Sequence, residues 1–379
     1  MIKKKILIIT AVVLAVLAAA YALTPAHVKT AFKYLGVTID DHRLFANRTV
    51  TAGAGQPWAL DPDYNKKEIP AKYASMMRDL KTAAFLVVRN NRILTEKYWD
   101  GYSDQSVTNS FSAAKSIVGL LVGIALDEGK IKSLNQPVGD FIPEFKAGMK
   151  GAITVKDVLT MSSGIDWNES YVNPFSITAK AYFGDDLDSL TRGLDAAEPA
   201  GKSFKYLSGN TQILGLIVEK AAGERISLYA SEKLWKPLGA GKDALWSLDR
   251  EGGMEKAFCC FYAGARDYAR IGQLILNGGT WNGRRIISKQ YLDAATTAAS
   301  WLKDEEGKPV DFYGYQIWIM RHRGLVIPHF RGIKGQYILI IPQKNAVVVR
   351  LGSKRIDKKI RHIPADSYEY VDAALALIE

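Results

Sequence analysis

The residues with the clearest chemical potential are a serine and a lysine three positions apart, Ser112 and Lys115. They begin a stretch that is apolar or glycine at every position from Ile117 to Leu126, which predicts a buried helix. On a helix this spacing places both side chains on one face, within reach of each other. Burial lowers the pKa of a lysine, and a neutral lysine can take the proton of a serine hydroxyl. The pair therefore indicates nucleophilic chemistry of the S-x-x-K type.

Two observations keep a second interpretation of this motif open. The chain contains another pair at the same spacing, Ser300 and Lys303, which runs into an acidic segment and indicates a solvated surface. In addition, Ser112 could simply cap a helix whose first turn exposes Lys115. Taken alone, the motif is compatible with catalysis and with helix capping.

The composition fits a large globular protein with an ordinary surface. The chain has 379 residues, of which 48% are hydrophobic and 23% are charged, so it can bury a sizeable core. The formal net charge is +11, which raises the question of a nucleic-acid partner. The cations are scattered, and the richest run, between Lys354 and Arg361, is typical of a solvated face. We therefore expect no nucleic-acid binding.

The cysteines and histidines give no sign of a cofactor. Cys259 and Cys260 are adjacent within an apolar run. Neighbouring cysteines seldom bridge each other, so we expect two small buried hydrophobic side chains. The five histidines match no metal-binding spacing. The sequence therefore predicts neither a disulfide framework nor a metal or other cofactor.

The N-terminus has the features of a membrane-targeting segment. Three lysines precede an apolar run from Ile6 to Leu23, long enough to cross a hydrocarbon core of roughly 30 Å. The lysines would keep the N-terminus in the cytoplasm and place the rest of the chain on the periplasmic side of the inner membrane. A cleaved signal peptide is the alternative, because residues 20–22 read Ala-Tyr-Ala and fit an A-x-A site. Of these two alternatives, we favour a retained single-pass anchor formed by residues 1–23. The other alternative is a secreted or periplasmic protein from which the signal has been cleaved.

The order of the predicted elements indicates a sheet built from both ends of the chain. Residues 24–80 lack clear periodicity and are predicted to form a wrapping arm. The main domain, residues 81–379, begins with a β-hairpin whose strands span 83–89 and 92–99. Helices follow, then three strands near the C-terminus and a closing helix over 368–379. This order predicts an α+β fold, with an antiparallel sheet flanked by helices and a helical insertion domain.

Several segments resemble the penicillin-recognising serine hydrolases of the class C β-lactamase type. The motif at Ser112 is followed by Tyr206-Leu207-Ser208-Gly209-Asn210, which resembles the tyrosine motif of that family. Within the group, the chain is most similar to 6-aminohexanoate-dimer hydrolases and related esterases. Three further segments resemble family segments in the same order, at residues 159–167, 265–272 and 332–342.

The resemblance implies a β-lactamase/transpeptidase-like fold and the hydrolysis of an amide or ester through an acyl-serine intermediate. Ser112 would be the nucleophile, Lys115 its base, and Tyr206 the relay of the proton to the leaving group. The N–H of Ser112 and a second N–H from the strand around residues 329–332 would stabilise the oxyanion. Substrate-binding roles are implied for Ser208, Asn210, His329 and Gly332, and for Asp166 and Trp167 if these are more than turn and packing residues.

One departure from the family pattern concerns its K-T-G motif, whose lysine holds a substrate carboxylate. Aligning residues 335–337 with the family strand places this motif near Ile327-Pro328-His329, where no lysine stands. The sequence therefore offers no evident cation for such a carboxylate. This departure argues against turnover of β-lactams or of D-Ala-D-Ala peptides.

We therefore expect a hydrolase of small-molecule amides or esters. A β-lactamase or D,D-carboxypeptidase of the same fold is the first alternative, because a location outside the cytoplasm would suit it. A catalytically inactive, membrane-anchored binding protein is the second, and the intact Ser112, Lys115 and Tyr206 argue against it. The sequence indicates no particular oligomeric state.

Overall fold

The computed structural model of the protein describes residues 2–34 and 36–379. In these residues two main sheets, accompanied by two separate two-stranded pairs, are surrounded by helices. The helices are α1 (Ile2–Leu23), α2 (Ala26–Tyr34), α3 (Ala71–Asp79), α4 (Ala114–Asp127), α5 (Val155–Leu159), α6 (Ile177–Phe183), α7 (Leu187–Arg192), α8 (Ser208–Ala222), α9 (Ile226–Ala230), α10 (Ala265–Leu276), α11 (Lys289–Ala295) and α12 (Ala365–Ile378). The strands are β1 (Asn47–Val50), β2 (Ala59–Leu60), β3 (Thr82–Arg89), β4 (Arg92–Tyr98), β5 (Thr108–Asn109), β6 (Ala244–Ser247), β7 (Phe261–Ala263), β8 (Thr280–Trp281), β9 (Arg284–Arg285), β10 (Trp318–His322), β11 (Leu325–Gly332), β12 (Gln336–Ile341), β13 (Ala346–Gly352), β14 (Lys359–Ile360) and β15 (Ile363–Pro364).

The larger sheet is built from both ends of the chain, which confirms the predicted α+β fold. Its strand order is β10-β11-β12-β13-β3-β4-β2. The pairing is antiparallel throughout, except between β2 and β4. The smaller sheet has the order β1-β6-β7-β5. The hairpin β3–β4 thus lies beside strands that follow it by more than two hundred residues.

Two apolar cores lie on opposite faces of the larger sheet. β13 is buried at every position, and its side chains alternate between the two cores as a pleated strand requires. Val347 and Val349 pack in the larger core, which also contains α4 and α8. Val348 packs in the smaller core with Tyr370 of α12. Coverage on both faces explains why β12 and β13 are hydrophobic at almost every position, with Gln336 and Arg350 as buried exceptions.

Helix α4 is buried on all sides, as its apolar sequence predicts. Every residue from Ala114 to Ala125 is buried, and the helix packs against α8. A Cβ on Gly123 would lie 2.5 Å from the Tyr291 ring, so only glycine permits this close approach. The Tyr291 hydroxyl also donates to the Gly119 carbonyl oxygen over 2.6 Å. The middle of α4 is therefore packed closely against Tyr291.

The segment 24–80 has more regular structure than its lack of periodicity predicts. It contains α2, β1, β2 and α3. β1 pairs with β6 in the smaller sheet, and β2 pairs with β4 at the edge of the larger one. Such short strands are stabilised by distant partners, so local sequence patterns reveal them poorly. The segment is integrated into both sheets.

The N-terminal helix stands apart from these cores. Lys3–Leu23 is long and apolar enough to cross a membrane, and none of it is buried within the molecule. Helix α2 begins at Ala26 and packs against α6. The position of α1 is compatible with a membrane anchor and with a signal sequence.

The two cysteines differ from the sequence-based expectation. Both side chains are buried, as predicted, but Cys259 and Cys260 form a disulfide with each other, so the expectation of two free thiols is wrong. Cys260 adopts a left-handed backbone conformation, with a φ of 65°. Few non-glycine residues adopt this conformation, which is why adjacency alone does not predict the bond.

Candidate active site

Ser112 lies on a short, conformationally strained turn at the start of α4. The 3₁₀ turn Phe111–Ala113 leads directly into this helix. Phe111 has a φ of 44°, which is costly for a bulky residue and persists only when its surroundings enforce it. Asn109 Oδ1 accepts the N–H of Phe111 over 2.8 Å, and Asn109 Nδ2 donates to the Tyr262 hydroxyl over 3.1 Å. The position of Ser112 is therefore fixed by the fold.

Lys115 is buried, and its Nζ contacts the Ser112 hydroxyl. The side chain is 1% exposed. Nζ lies 3.1 Å from Ser112 Oγ and donates to the Phe258 carbonyl oxygen over 2.8 Å. Burial lowers the pKa of Lys115 to about 8, and the negative charge of Glu169 opposes this change. An appreciable fraction of Lys115 is therefore neutral near physiological pH, as a general base requires.

The Tyr206 side chain lies close to Ser112 and Lys115. Lys115 Nζ is 5.4 Å from the centroid of the Tyr206 ring, which packs against Trp318 at a centroid distance of 5.1 Å. Burial raises the pKa of Tyr206 to about 12, while Arg331 and the Ser112 hydroxyl oppose that rise. Tyr206 is therefore protonated at neutral pH and can donate a hydrogen bond.

Two backbone N–H groups are available beside Ser112. A Cβ on Gly332 would lie 2.2 Å from the Ser110 carbonyl oxygen, so glycine is needed where β11 approaches the serine turn. Ile333 follows at the first position of the 3₁₀ turn Ile333–Gly335. Within residues 2–34 and 36–379, neither the Ser112 N–H nor the Ile333 N–H donates a hydrogen bond. Such a pair matches the requirement of an oxyanion hole.

Ser112 lies where two cavities meet. The larger has a volume of about 540 Å³ and a mainly apolar wall. The smaller has a volume of about 100 Å³. Ser112, Tyr171 and Ile333 line both cavities. The other residues lining the smaller cavity are Tyr206, Arg331, Gly332, Arg355 and Lys359.

The three cations of the smaller cavity contradict the expectation that the site offers no positive charge. Arg331 and Gly332 are the residues of β11 that line this cavity, whereas the expected position of the motif is Ile327-Pro328-His329. Arg355 and Lys359 belong to the run that the sequence predicts to be a solvated face. Lys359 is exposed, as predicted, and Arg355 is half-buried, and the chain after β13 brings both side chains to the wall of the cavity.

The two polar residues of the tyrosine motif have different positions. Ser208 lines the larger cavity. Its N–H and its hydroxyl each donate to the carboxylate of Glu169 over 2.6 Å. Asn210 is buried, and its Oδ1 accepts a hydrogen bond from Ser163 Oγ over 2.5 Å. Asn210 lines neither cavity at Ser112. Its hydrogen bond with Ser163 instead stabilises the buried side of the tyrosine motif.

The structure does not bring Asp166 or Trp167 to Ser112. Asp166 is exposed and lines a separate cavity that also contains His27. Trp167 is buried, and its Nε1 donates to Thr178 Oγ1 over 2.9 Å. A Cβ on Gly209 would lie 2.5 Å from the Trp167 ring. These positions agree with the alternative that Asp166 and Trp167 are turn and packing residues.

His329 is also remote from both cavities at Ser112. It is fully buried, and its Nδ1 lies 3.2 Å from the Ile327 carbonyl oxygen. Burial lowers the pKa of His329 to about 3. It shares a face of β11 with Arg331, two residues further along, but it lies deeper in the core. Contact between His329 and a substrate is therefore incompatible with this arrangement.

Glu169 is a residue of the site that the sequence patterns do not reveal. Its carboxylate accepts hydrogen bonds from Ser208 and from the Tyr171 hydroxyl. It also opposes the fall in the pKa of Lys115. Glu169 lies in the irregular stretch between α5 and α6, where no periodic pattern marks a side chain as functional.

The chain is similar to known proteins over most of its length. A model of the beta-lactamase family matches residues 70–362. The 6-aminohexanoate-dimer hydrolase of Paenarthrobacter ureafaciens is 32% identical over 288 residues, which cover 72% of this chain and 72% of that protein.

Two solved structures share the fold across most of the chain. A Bacillus anthracis protein described as a candidate 6-aminohexanoate-dimer hydrolase superposes with a TM-score of 0.76 at 22% identity, covering 90% of this chain and 92% of its own. A family VIII carboxylesterase superposes with a TM-score of 0.65 at 20% identity, and the superposition covers 85% of this chain and 99% of that protein. The chain therefore belongs to the beta-lactamase family, as a hydrolase related to 6-aminohexanoate-dimer hydrolase.

Proposed function

We propose that the protein cleaves amide or ester bonds of small molecules through an acyl-serine intermediate, as an enzyme of the 6-aminohexanoate-dimer hydrolase and esterase type. The observation that carries this proposal is the buried Nζ of Lys115, 3.1 Å from Ser112 Oγ. A buried lysine whose pKa is lowered toward the working pH is suited to accept a serine proton. A lysine that merely followed a capping serine would be exposed.

Each step of the proposed reaction has a group in place. Ser112 Oγ forms a bond to the carbonyl carbon while Lys115 accepts its proton. The N–H groups of Ser112 and Ile333 stabilise the oxyanion, and losing one such donor costs about 3 kcal/mol. Tyr206 passes the proton to the leaving nitrogen or oxygen as its bond to the carbonyl carbon breaks. Water then attacks the acyl carbon, and the same groups return the proton to Ser112.

Short-chain p-nitrophenyl esters are expected to be hydrolysed, with kcat/KM at least about a hundredfold above that for nitrocefin. Tyr206 lines the smaller cavity, so the leaving group lies there, in a space of about 100 Å³. A planar phenolate is far smaller than the fused ring and styryl group of nitrocefin. The measurement compares kcat/KM for p-nitrophenyl butyrate and for nitrocefin, with the Ser112→Ala variant as the blank.

The three cations beside Ser112 favour β-lactamase activity as the alternative function, because β-lactams carry a carboxylate near the scissile bond. Efficient nitrocefin turnover that depends on Ser112 would therefore move the protein to the β-lactamase branch. An inactive binding protein would hydrolyse neither compound and would not be labelled by a fluorophosphonate. The same three assays separate all of these functions.

The N-terminal helix is proposed to be a membrane anchor that leaves the catalytic domain outside the cytoplasm. A chain beginning at Thr24 is expected to be soluble and to keep its melting temperature and ester hydrolysis, because no part of α1 is buried. The full-length chain is expected to sediment with membranes. Cell fractionation with a blot for the C-terminus checks both forms. A shorter soluble species outside the cytoplasm would instead indicate a cleaved signal peptide.

A further inference from the structure

The smaller cavity brings three positive charges together with little to neutralise them. Arg331, Arg355 and Lys359 line it. Among the described residues, the only carboxylate within 4.0 Å of these three is that of the exposed Asp357, at 3.9 Å from Arg355 Nε. Burial and the two guanidinium groups lower the pKa of Lys359. An anion in this cavity would relieve the mutual repulsion and accept charged hydrogen bonds.

Arg331 is held in place before any ligand arrives. Its Cζ lies 3.4 Å from the centroid of the Trp318 ring, and its Nη1 donates to the His362 carbonyl oxygen over 2.7 Å. Burial lowers its pKa to about 10, so it remains positively charged at neutral pH. A cation fixed in this way loses little conformational entropy when it binds an anion.

The position of Tyr206 determines which part of a substrate meets these charges. Tyr206 lines the smaller cavity and is absent from the described wall of the larger one. Ser112 and Ile333, which would hold the carbonyl group, line both. Since Tyr206 is the proposed proton donor to the leaving group, the leaving group occupies the cationic cavity. The acyl group then extends into the larger, apolar cavity.

The larger cavity suits an uncharged chain. Phe111, Tyr182 and Phe258 contribute to its wall, and of the described residues that line it, only Lys334 carries a charge. No carboxylate belongs to the described wall, and Glu169 behind it already accepts hydrogen bonds from Ser208 and Tyr171. Removing an ammonium group at the end of the acyl chain from water would therefore be costly. A volume of about 540 Å³ is within the range of cavities that enclose small organic ligands.

The entrance to this cavity is apolar and lies close to the N-terminal helix. Phe32 and Val172 line the cavity while remaining 60% and 92% exposed. Ala31, also in its wall, follows the last residue of α1, Leu23, by eight residues. At roughly 3.5 Å per residue, these eight residues span no more than about 28 Å. An alkyl chain held at a lipid surface near α1 would be within reach of this entrance.

We infer that the substrate is an anionic amphiphile: an uncharged alkyl acyl chain joined through an amide or ester to a compact leaving group that carries a carboxylate or a phosphate. The inference rests on the proposed acyl-serine hydrolysis and adds the substrate class. Hydrolysis consumes one water and releases the fatty acid and the anionic amine or alcohol.

Three amides with the same decanoyl chain test the charge of the leaving group. They are N-decanoylglycine, N-decanoylphosphoethanolamine and the neutral N-decanoylethanolamine, each assayed with the full-length protein in detergent. We expect kcat/KM to be about tenfold or more higher for an anionic amide than for the neutral one. The ratio between the first two compounds distinguishes carboxylate from phosphate. N-acetylglycine and the 6-aminohexanoate dimer are expected to be poorer substrates than N-decanoylglycine.

Charge variants then test the assigned cations. Arg355→Gln and Lys359→Gln are each expected to lower the preference for the anionic over the neutral amide by about tenfold, mainly through KM. The matched control is Lys358→Gln, which removes an adjacent exposed lysine that does not line the cavity and should leave the preference unchanged.

Hydrolysis of p-nitrophenyl butyrate separates failure of this inference from failure of the proposed function. If the ester is cleaved but the anionic and neutral amides react equally, the substrate class is wrong and the acyl-serine function stands. The substrate class is also wrong if the 6-aminohexanoate dimer is preferred to N-decanoylglycine. If neither the ester nor any amide is cleaved, both proposals are overturned.

Discussion

A Ser112→Ala variant is expected to lose at least about ten-thousandfold in kcat/KM for p-nitrophenyl butyrate. Lys115 Nζ has two hydrogen-bond acceptors among the described residues, and Ser112 Oγ is the only hydroxyl of the two. Removing this hydroxyl leaves the proposed oxyanion hole and the cavities in place but eliminates the acyl-serine intermediate. The remaining rate should resemble the weak background of a site that binds without a nucleophile.

The second serine–lysine pair supplies the matched control for this experiment. Ser300 and Lys303 are both exposed and lie outside any helix, so Ser300→Ala is expected to retain full activity. Melting temperatures of both variants should match that of the unmodified protein. An inactive Ser300→Ala variant beside an active Ser112→Ala variant would show that the nucleophile has been assigned to the wrong motif.

A Lys115→Met variant is expected to lose about a hundredfold or more in kcat, as the loss of a proton-transfer group typically costs. In the unmodified protein, kcat should rise with pH through a midpoint near 8, because burial lowers the pKa of Lys115 to about 8 and only its neutral form accepts a proton. Activity should fall as pH is lowered below this value. The measurement is kcat for an ester between pH 6 and 10.

Two further variants identify the group responsible for this midpoint. Glu169 opposes the fall in the pKa of Lys115, so Glu169→Gln should move the midpoint to lower pH. Lys256 is also buried, with its pKa lowered to about 7, and it packs against the Phe45 ring away from Ser112. Lys256→Met should therefore leave the midpoint near 8. If the midpoint disappears in Lys256→Met, the group that titrates is Lys256 and the assignment to Lys115 is wrong.

The sequence predicts those parts of the site that depend on local spacing. Ser112 and Lys115 lie three residues apart on one helix, and helical geometry alone brings them together. Tyr206 is identified through the order of family segments, because no local rule connects it with Ser112.

The remaining site residues depend on contacts between distant segments. The predicted alignment of β11 names His329, whereas Arg331, two positions further along the strand, lines the cavity. A shift of two positions keeps the face of the strand but changes how deep in the core the side chain lies. Arg355 belongs to a charged run that looks like ordinary surface until the chain folds back toward Ser112. Local sequence patterns do not indicate which charged side chains will lie close together in the folded protein.

The pairing of β3 with β13 determines when this molecule can fold. Arg89 lies opposite Ala346 in that ladder, so more than 250 residues separate two neighbouring strands at the centre of the larger sheet. Closing a loop of that length costs entropy before any contact is gained, and topologies rich in distant contacts fold slowly. During synthesis, β3 and β4 leave the ribosome long before β13 exists. The central sheet, and with it the wall that completes the site, can therefore form only when translation is nearly finished.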